Sequence, residues 1–409
     1  MPSAQPHAAI SSASSAPSPT SSPTPASLLE AARKLVPLVR ASVDEGEKIR
    51  EMPRPLFEAI ADAGLFLMSA PRDVGGYEID LPTHVQIIEI LAEADVSAAW
   101  AVNQGSTYAW YSSRMKAENA RKIWGDTPRA VVANSPAPTG KAVVVPGGYR
   151  VTAKQGFSTG SRHAPWIAAH AQVIENGEVR KFNGLPETRY CLTPRTEVRL
   201  HDTWHTRGMR GTGTHTIEVE DVFVPDERTV MSSNTKAPQL CGGLRYKIPL
   251  TLNFASGDGM AALALARGCM TTFCELAGSK APRHMPGMLR DQAISQFAVG
   301  ETEAALRAGR AFLMEAVTEL WEDTVKNGAP SMEKRAHARL ASIHAIRTAA
   351  QVVERLYPLC GGDAIFEGGA MQRHFQDIHV ITQHVQGRLL NFELVGKFKL
   401  GILTEDPRF

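Results

Sequence analysis

The chain reads as an α+β protein in which a helical domain, a β domain and a second helical domain follow one another. Three observations predict this. Apolar residues recur at helical spacing in the first and last thirds, and short β-branched runs separated by glycine turns fill the middle. A start made almost wholly of Ser, Pro, Ala and Thr stands apart from all three.

That start, residues 1–26, buries too little apolar surface to offset the entropy of ordering and is expected to be a disordered tail. From 27 to 128, Leu28, Leu29, Ala32, Leu35 and Val39 share one helical face, as do Val85, Ile88, Leu91 and Ala92. Gly64, the Gly75-Gly76 pair and Pro82 read as stops and turns between helices.

From 129 to 240 the texture becomes β: Ala130 to Val132, Ala142 to Val145, Tyr149 to Val151, Ile167 to Ala171, Glu197 to Leu200 and Thr216 to Val224. Gly147-Gly148, Asn176-Gly177 and Asn183-Gly184 fall between them as turn signals, which predicts a compact barrel or sandwich. From 241 to 409 long helices return. Leu306, Leu313, Val317 and Leu320 form one stripe, with Arg307, Arg310, Glu315 and Glu319 on other faces, which predicts a four-helix bundle whose stripes also serve subunit contact.

Composition narrows the function. With 44 basic and 42 acidic residues the formal charge is +2, and no basic stripe with interleaved aromatics marks a nucleic-acid binder. The five cysteines (Cys191, Cys241, Cys269, Cys274, Cys360) are scattered, with no CxxC pair and no histidine at metal-ligand spacing, so no metal site is expected. Reduced thiols, no secretory leader pattern and no uninterrupted apolar run near the ~20 residues of a membrane span lead to the expectation of a cytoplasmic protein.

Four ordered motifs carry chemistry: GFSTGSRHAPW (156–166), WHTRGMRGTGTH (204–215), VEDVFVP (219–225) and LCGGDAIFEGGAMQRHFQD (359–377). Together, and in this order, they resemble the acyl-CoA dehydrogenase superfamily over roughly residues 53–396. The resemblance implies that fold, a flavin lying against the first motif, and a homotetramer.

Dehydrogenases of this superfamily mostly carry a proton-abstracting Glu shortly after the Arg-Asp stretch near the C-terminus. Counted from Asp377, that position here is Val385, in DIHVITQHVQG. The neighbouring His384, with His379 nearby, resembles instead the oxygenase branch, whose members act on p-hydroxyphenylacetate, dibenzothiophene, indole or indole-acetate. There the histidine faces the flavin and helps O₂ form a C4a-hydroperoxide. The resemblance thus implies reduced flavin (FADH2 or FMNH2), O₂ and a small aromatic substrate, with indole or an indole derivative favoured.

Site residues follow from the same resemblance. His384, Ser158 and His163 are the catalytic candidates. Phe157, Ser158, Thr159 and Ser161 from the first motif, Arg290 and Gln292 from LRDQ, and Gly361, Gly362 and His384 near the C-terminus are the flavin-binding candidates. Trp204, Arg210 and His215 are the substrate candidates, although an ion pair or ordinary core packing explains these residue types equally well. No strand followed by GxGxxG marks a nicotinamide site, so a separate NAD(P)H:flavin reductase is implied. Two alternatives stay open: a dehydrogenase or oxidase with Asp258 as base, and a non-catalytic flavin-fold scaffold.

Overall fold

The computed structural model describes residues 23–125, 127–406 and 408–409; the Ser/Pro-rich segment to residue 22 lies outside the described residues. Six helices come first: α1 (Pro25–Ala41), α2 (Val43–Ile49), α3 (Arg54–Asp62), α4 (Leu81–Ala92), α5 (Val96–Tyr108) and α6 (Ala117–Trp124). Helix α1 begins at Pro25 because Thr24 and Ser27 cap it reciprocally, side chain to backbone in both directions. Pro82 proves to be a helix start and not a stop. It sits in the first turn of α4, where a missing N–H costs nothing, behind an Asp80 cap that accepts Thr83 N–H at 2.7 Å. Asp95 caps α5 in the same manner and fixes where that helix begins.

Eleven strands follow: β1 (Val132–Asn134), β2 (Gly140–Val145), β3 (Gly148–Ser158), β4 (Trp166–Glu175), β5 (Glu178–Val179), β6 (Lys181–Phe182), β7 (Leu185–Pro186), β8 (Thr188–Pro194), β9 (Arg199–His201), β10 (His215–Pro225) and β11 (Thr229–Met231). Nine of them form one mixed sheet in the order β11-β8-β4-β2-β3-β10-β9, with β1 and β5 also paired to β4. The two parallel pairs, β1 with β4 and β2 with β4, succeed one another along the same edge of β4. Strand β8, whose run TRYCLTP has no clean alternation, carries no period-two signal because four consecutive residues of it are buried.

The remaining helices are α7 (Leu250–Ser279), α8 (Ala293–Asn327), α9 (Met332–Leu356), α10 (Ala370–Gln383) and α11 (Leu390–Lys399). Helix α7 is apolar enough over its length to resemble a membrane span, yet it is the core helix, packed on α4, α5, α8, α9 and α10. Its residues from Ala255 to Ala266 are all buried. Each Leu or Met enclosed there stabilises the fold by roughly 1.5–3 kcal/mol. One continuous apolar core joins α7 to the N-terminal helices and to the inner face of the sheet, so sheet and bundle hold fixed positions around the site.

Candidate active site

At the end of β3 the backbone breaks its pleat. Ser158 pairs with His215 and Gln155 with Ile217, so Gly156 and Phe157 together oppose the single residue Thr216. This β-bulge re-aims one side chain. Phe157 takes a left-handed φ of 62° and projects its ring outward, 68 % exposed. A β-carbon is disfavoured in that conformation, so the local strain is held in place by the surrounding sheet.

Phe157 forms one wall of a cavity of about 790 Å³. Thr203, Trp204, Thr206, Arg207, Thr214 and Thr216 come from β10 and the loop before it. Phe375, Gln376, His379, Val380 and Gln383 come from α10, where their spacing of one, four, five and eight residues puts them on one helix face. Phe157 and Trp204 meet edge to face with centroids 6.3 Å apart. Flat apolar walls studded with hydroxyls are what a planar heteroaromatic ligand with a polar tail requires.

The loop is tied down from several sides. Trp204 Nε1 donates to the Met209 carbonyl at 2.9 Å, and Met209 N–H donates to buried Asp377 on α10 at 2.5 Å. Thr159, Thr214 and Thr212 form a hydroxyl chain at 3.0 and 2.8 Å that ends on the Met209 carbonyl. Thr159 therefore supports a wall residue. The Ser158 and Ser161 hydroxyls lie fully buried beside Phe157, with no hydrogen-bond partner among the described residues.

Several candidates sit elsewhere. His163 bonds the Met52 carbonyl through Nε2 at 2.7 Å and stacks on Phe57 at 4.7 Å. Burial pushes its pKa down, and it anchors the β domain to the N-terminal helices without lining the cavity. His215 is turned away because Thr214 and Thr216 take the cavity side of β10. It meets Arg162 at 3.2 Å and Asp202 at 3.6 Å, and burial, reinforced by the Arg162 charge, pushes its pKa down to about 4. Arg210 clips its own loop, donating to the Glu47 and Thr206 carbonyls at 3.0 Å each. Arg290 and Gln292 lie at the turn before α8, and Gly361 and Gly362 in the turn between α9 and α10; none of the four lines the cavity.

His384 follows α10 directly, one residue beyond the wall residue Gln383. Its ring meets Trp100 of α5 edge-on at 5.0 Å, and its Nδ1 stands 3.3 Å from Asp258 Oδ2. Asp258 has no exposed surface; Asn103 and Gln104 donate to its Oδ1 at 2.9 and 3.1 Å. As the base of a dehydrogenase it would have to reach substrate, and in this geometry it lies behind His384. Most of the wall escaped the sequence reading, Thr206, Arg207, Thr214 and Thr216 on the loop and strand side and Phe375 and Gln383 on the helix among them. The i, i+4, i+8 spacing of Phe375, His379 and Gln383 was the signal available for the helical wall.

Comparison with known proteins adds the family. Residues 25–123 match the acyl-CoA dehydrogenase N-terminal domain and residues 256–388 its C-terminal domain. Indole-3-acetate monooxygenase of Pseudomonas putida is 29 % identical over 84 % of this chain and 86 % of its own length. The flavin-dependent monooxygenase oxygenase subunit HsaA of Mycobacterium tuberculosis is 26 % identical over 88 % of this chain and 91 % of its own. Among solved structures, the 3-HSA hydroxylase of Rhodococcus sp. RHA1 superposes with a TM-score of 0.85 at 24 % identity, covering 94 % of this chain and 99 % of that one; at this identity the likeness speaks to fold. The chain belongs to the acyl-CoA dehydrogenase family, in the branch of flavin-dependent monooxygenases.

Proposed function

We propose that this chain is the oxygenase component of a two-component system that uses reduced flavin and O₂ to hydroxylate or epoxidise a small aromatic compound, with indole or an indole derivative as the preferred substrate. One observation carries the reading. The exposed hydrocarbon Val385 occupies the counted position of the usual proton-abstracting carboxylate, Asp258, the alternative base, is withdrawn behind His384, and an imidazole is left at the end of the cavity helix. A cavity wall without a carboxylate suits oxygen transfer to an electron-rich ring better than removal of a carbon-bound proton.

The residues present fit a flavin. The buried Ser158 and Ser161 hydroxyls need acceptors, and leaving each unpaired costs about 1–3 kcal/mol. Phe157, Trp204 and Phe375 offer faces and edges to a flat ring, and Arg207 offers a cation at the rim. Bound reduced flavin supplies the two electrons that activate O₂. Ser158 or Thr159 would steady a proton at the flavin, the aromatic walls would exclude water, and His384 would hold a proton toward the site. Arg290, Gln292, Gly361 and Gly362 would hold flavin from a neighbouring copy in a homotetramer. Exposed Ile294, Phe297, Ile365 and Phe366 on the same segments support such an assembly. Relatives described as oxygenase subunits or components support a separate flavin reductase as partner, and we place the system in the cytoplasm.

The test mixes the pure protein with a flavin reductase, NADH and a panel of aromatics under air. Oxygenated product that depends on both proteins is expected, with blue pigment from indole as the simplest sign. Bleaching of bound oxidised flavin by an acyl thioester without NADH and O₂ would overturn the reading.

A further inference from the structure

Behind His384 runs a file of buried polar side chains through the helical core. Arg245, at the turn before α7, is 1 % exposed and donates to the Ile79 carbonyl at 2.6 Å and to His84 Nδ1 at 3.1 Å. His84 of α4 meets Asn103 Oδ1 through Nε2 at 2.8 Å. Asn103 of α5 donates from Nδ2 to Asp258 Oδ1 at 2.9 Å, and Asp258 Oδ2 stands at ion-pair distance from His384 Nδ1, 3.3 Å, without hydrogen-bond alignment.

The direction of this file is forced. A guanidinium only donates, so His84 Nδ1 accepts and the proton of the neutral ring sits on Nε2. That N–H then takes the Asn103 oxygen, which turns the amide nitrogen toward Asp258. Asn103 and Gln104 both donate to Oδ1, so Oδ1 is the acceptor toward the core and Oδ2 is the oxygen left for His384. Burial and the Arg245 charge agree with this order, pushing the His84 pKa down to about 3. The packing is dedicated to it. A β-carbon on Gly257 would lie 2.2 Å from Asn103 Oδ1, so glycine beside Asp258 is what lets the amide in.

We infer that Arg245, His84, Asn103 and Asp258 form a positioning relay that fixes the His384 ring, holding its Nδ1 toward the core and leaving Nε2 as the working nitrogen. The consequence for oxygen chemistry rests on the function proposed above; the state of the ring does not. Of the charged groups around this pair, α7 contributes Asp258, α9 contributes Arg339 and Arg347, and the turn before α7 contributes Arg245. Arg339 donates to Gln386 Oε1 and to the Arg408 carbonyl, and Arg347 to the Gly387 carbonyl, so both cations are engaged below the ring. His84, Asn103, Gln104 and Trp100 are the neutral neighbours.

The test is nitrogen-15 NMR of histidine-labelled protein without flavin, with His384 assigned by its loss in His384→Gln. In the unaltered chain, neutral His84 should carry its proton on Nε2 and neutral His384 on Nδ1. Asp258→Asn should release the ring, so that the neutral form moves from Nδ1–H toward Nε2–H in the nitrogen-15 spectrum. A His384 Nε2–H tautomer in the unaltered chain, or an unmoved tautomer in a folded Asp258→Asn, overturns the relay. The tautomer measurement needs no variant and stands if Asp258→Asn fails to fold. Ring behaviour as expected in a protein that oxygenates no aromatic would uphold the relay and remove the function.

Discussion

The backbone N–H of Met209 donates to Asp377 Oδ1 at 2.5 Å, and through this one bond the loop that carries Trp204 is fixed to the helix that carries Phe375 and His379. Gly208 makes the approach possible, since a β-carbon there would fall 2.5 Å from the backbone of Gln376. Asp377 is fully enclosed, and burial raises its pKa well above the usual carboxylate range. The two walls of the cavity are therefore one rigid unit, held by a buried acceptor.

Asp377→Ala should leave Met209 N–H unsatisfied and destabilise the fold by about 1–3 kcal/mol. Chemical denaturation gives the stability, and the fluorescence of Trp204 should shift as the loop loosens. A variant as stable as the parent, with unchanged tryptophan emission, would count against the clamp.

Phe157 separates stability from function. Phe157→Gly removes a left-handed strain of about 1–2 kcal/mol and adds back about 0.5–1 kcal/mol of glycine entropy, while little burial is lost because the ring is exposed. The variant should be slightly more stable than the parent. It should also bind reduced flavin about 3–10-fold more weakly, the worth of one aromatic edge contact. Equal flavin affinity would remove Phe157 from the site.

His384→Ala should lower product formed per NADH on the order of 10²-fold and divert the oxygen to H₂O₂, while the overall fold stays intact. Coupling unchanged from the parent would contradict the role assigned to the imidazole.

Three buried histidines and the half-buried His374 set an acid limit on the fold. Burial, with an arginine charge adding to it at His84, His215 and His374, pushes His170, His215 and His374 down to about 4 and His84 to about 3, from an ordinary 6.5. A depressed histidine is neutral when folded and takes up a proton when unfolded. Its contribution is complete above about pH 6.5 and is lost as the pH falls toward 4, with His84 alone continuing to about 3. The thermal midpoint should therefore drop between pH 6.5 and 4, and His84→Gln should flatten the lowest part of that slope. A midpoint constant across this window would refute the assignment.

Much of this was legible in sequence where local chemistry decides the outcome. The order of helical, β and helical regions followed from periodicity, and the glycine-containing motif around Phe157 marked the correct strand end. What escaped depended on side-chain direction and on distance in the chain. His215 was placed with the substrate because its motif was right, but strand alternation gives the cavity to Thr214 and Thr216. His163 looked available in a polar turn until the carbonyl of Met52, 111 residues earlier, claimed it. Asp258 read as a possible base because its partner Asn103, and His84 behind that, lie on two other helices, a closeness that no spacing rule encodes.

Running the reductase-coupled reaction under ¹⁸O₂ and weighing the aromatic product addresses the assignment most directly. A single heavy oxygen atom per product molecule, dependent on added reductase, is the expected result. An aromatic recovered without label, from a protein whose flavin is bleached by an acyl thioester in the absence of air, would contradict it.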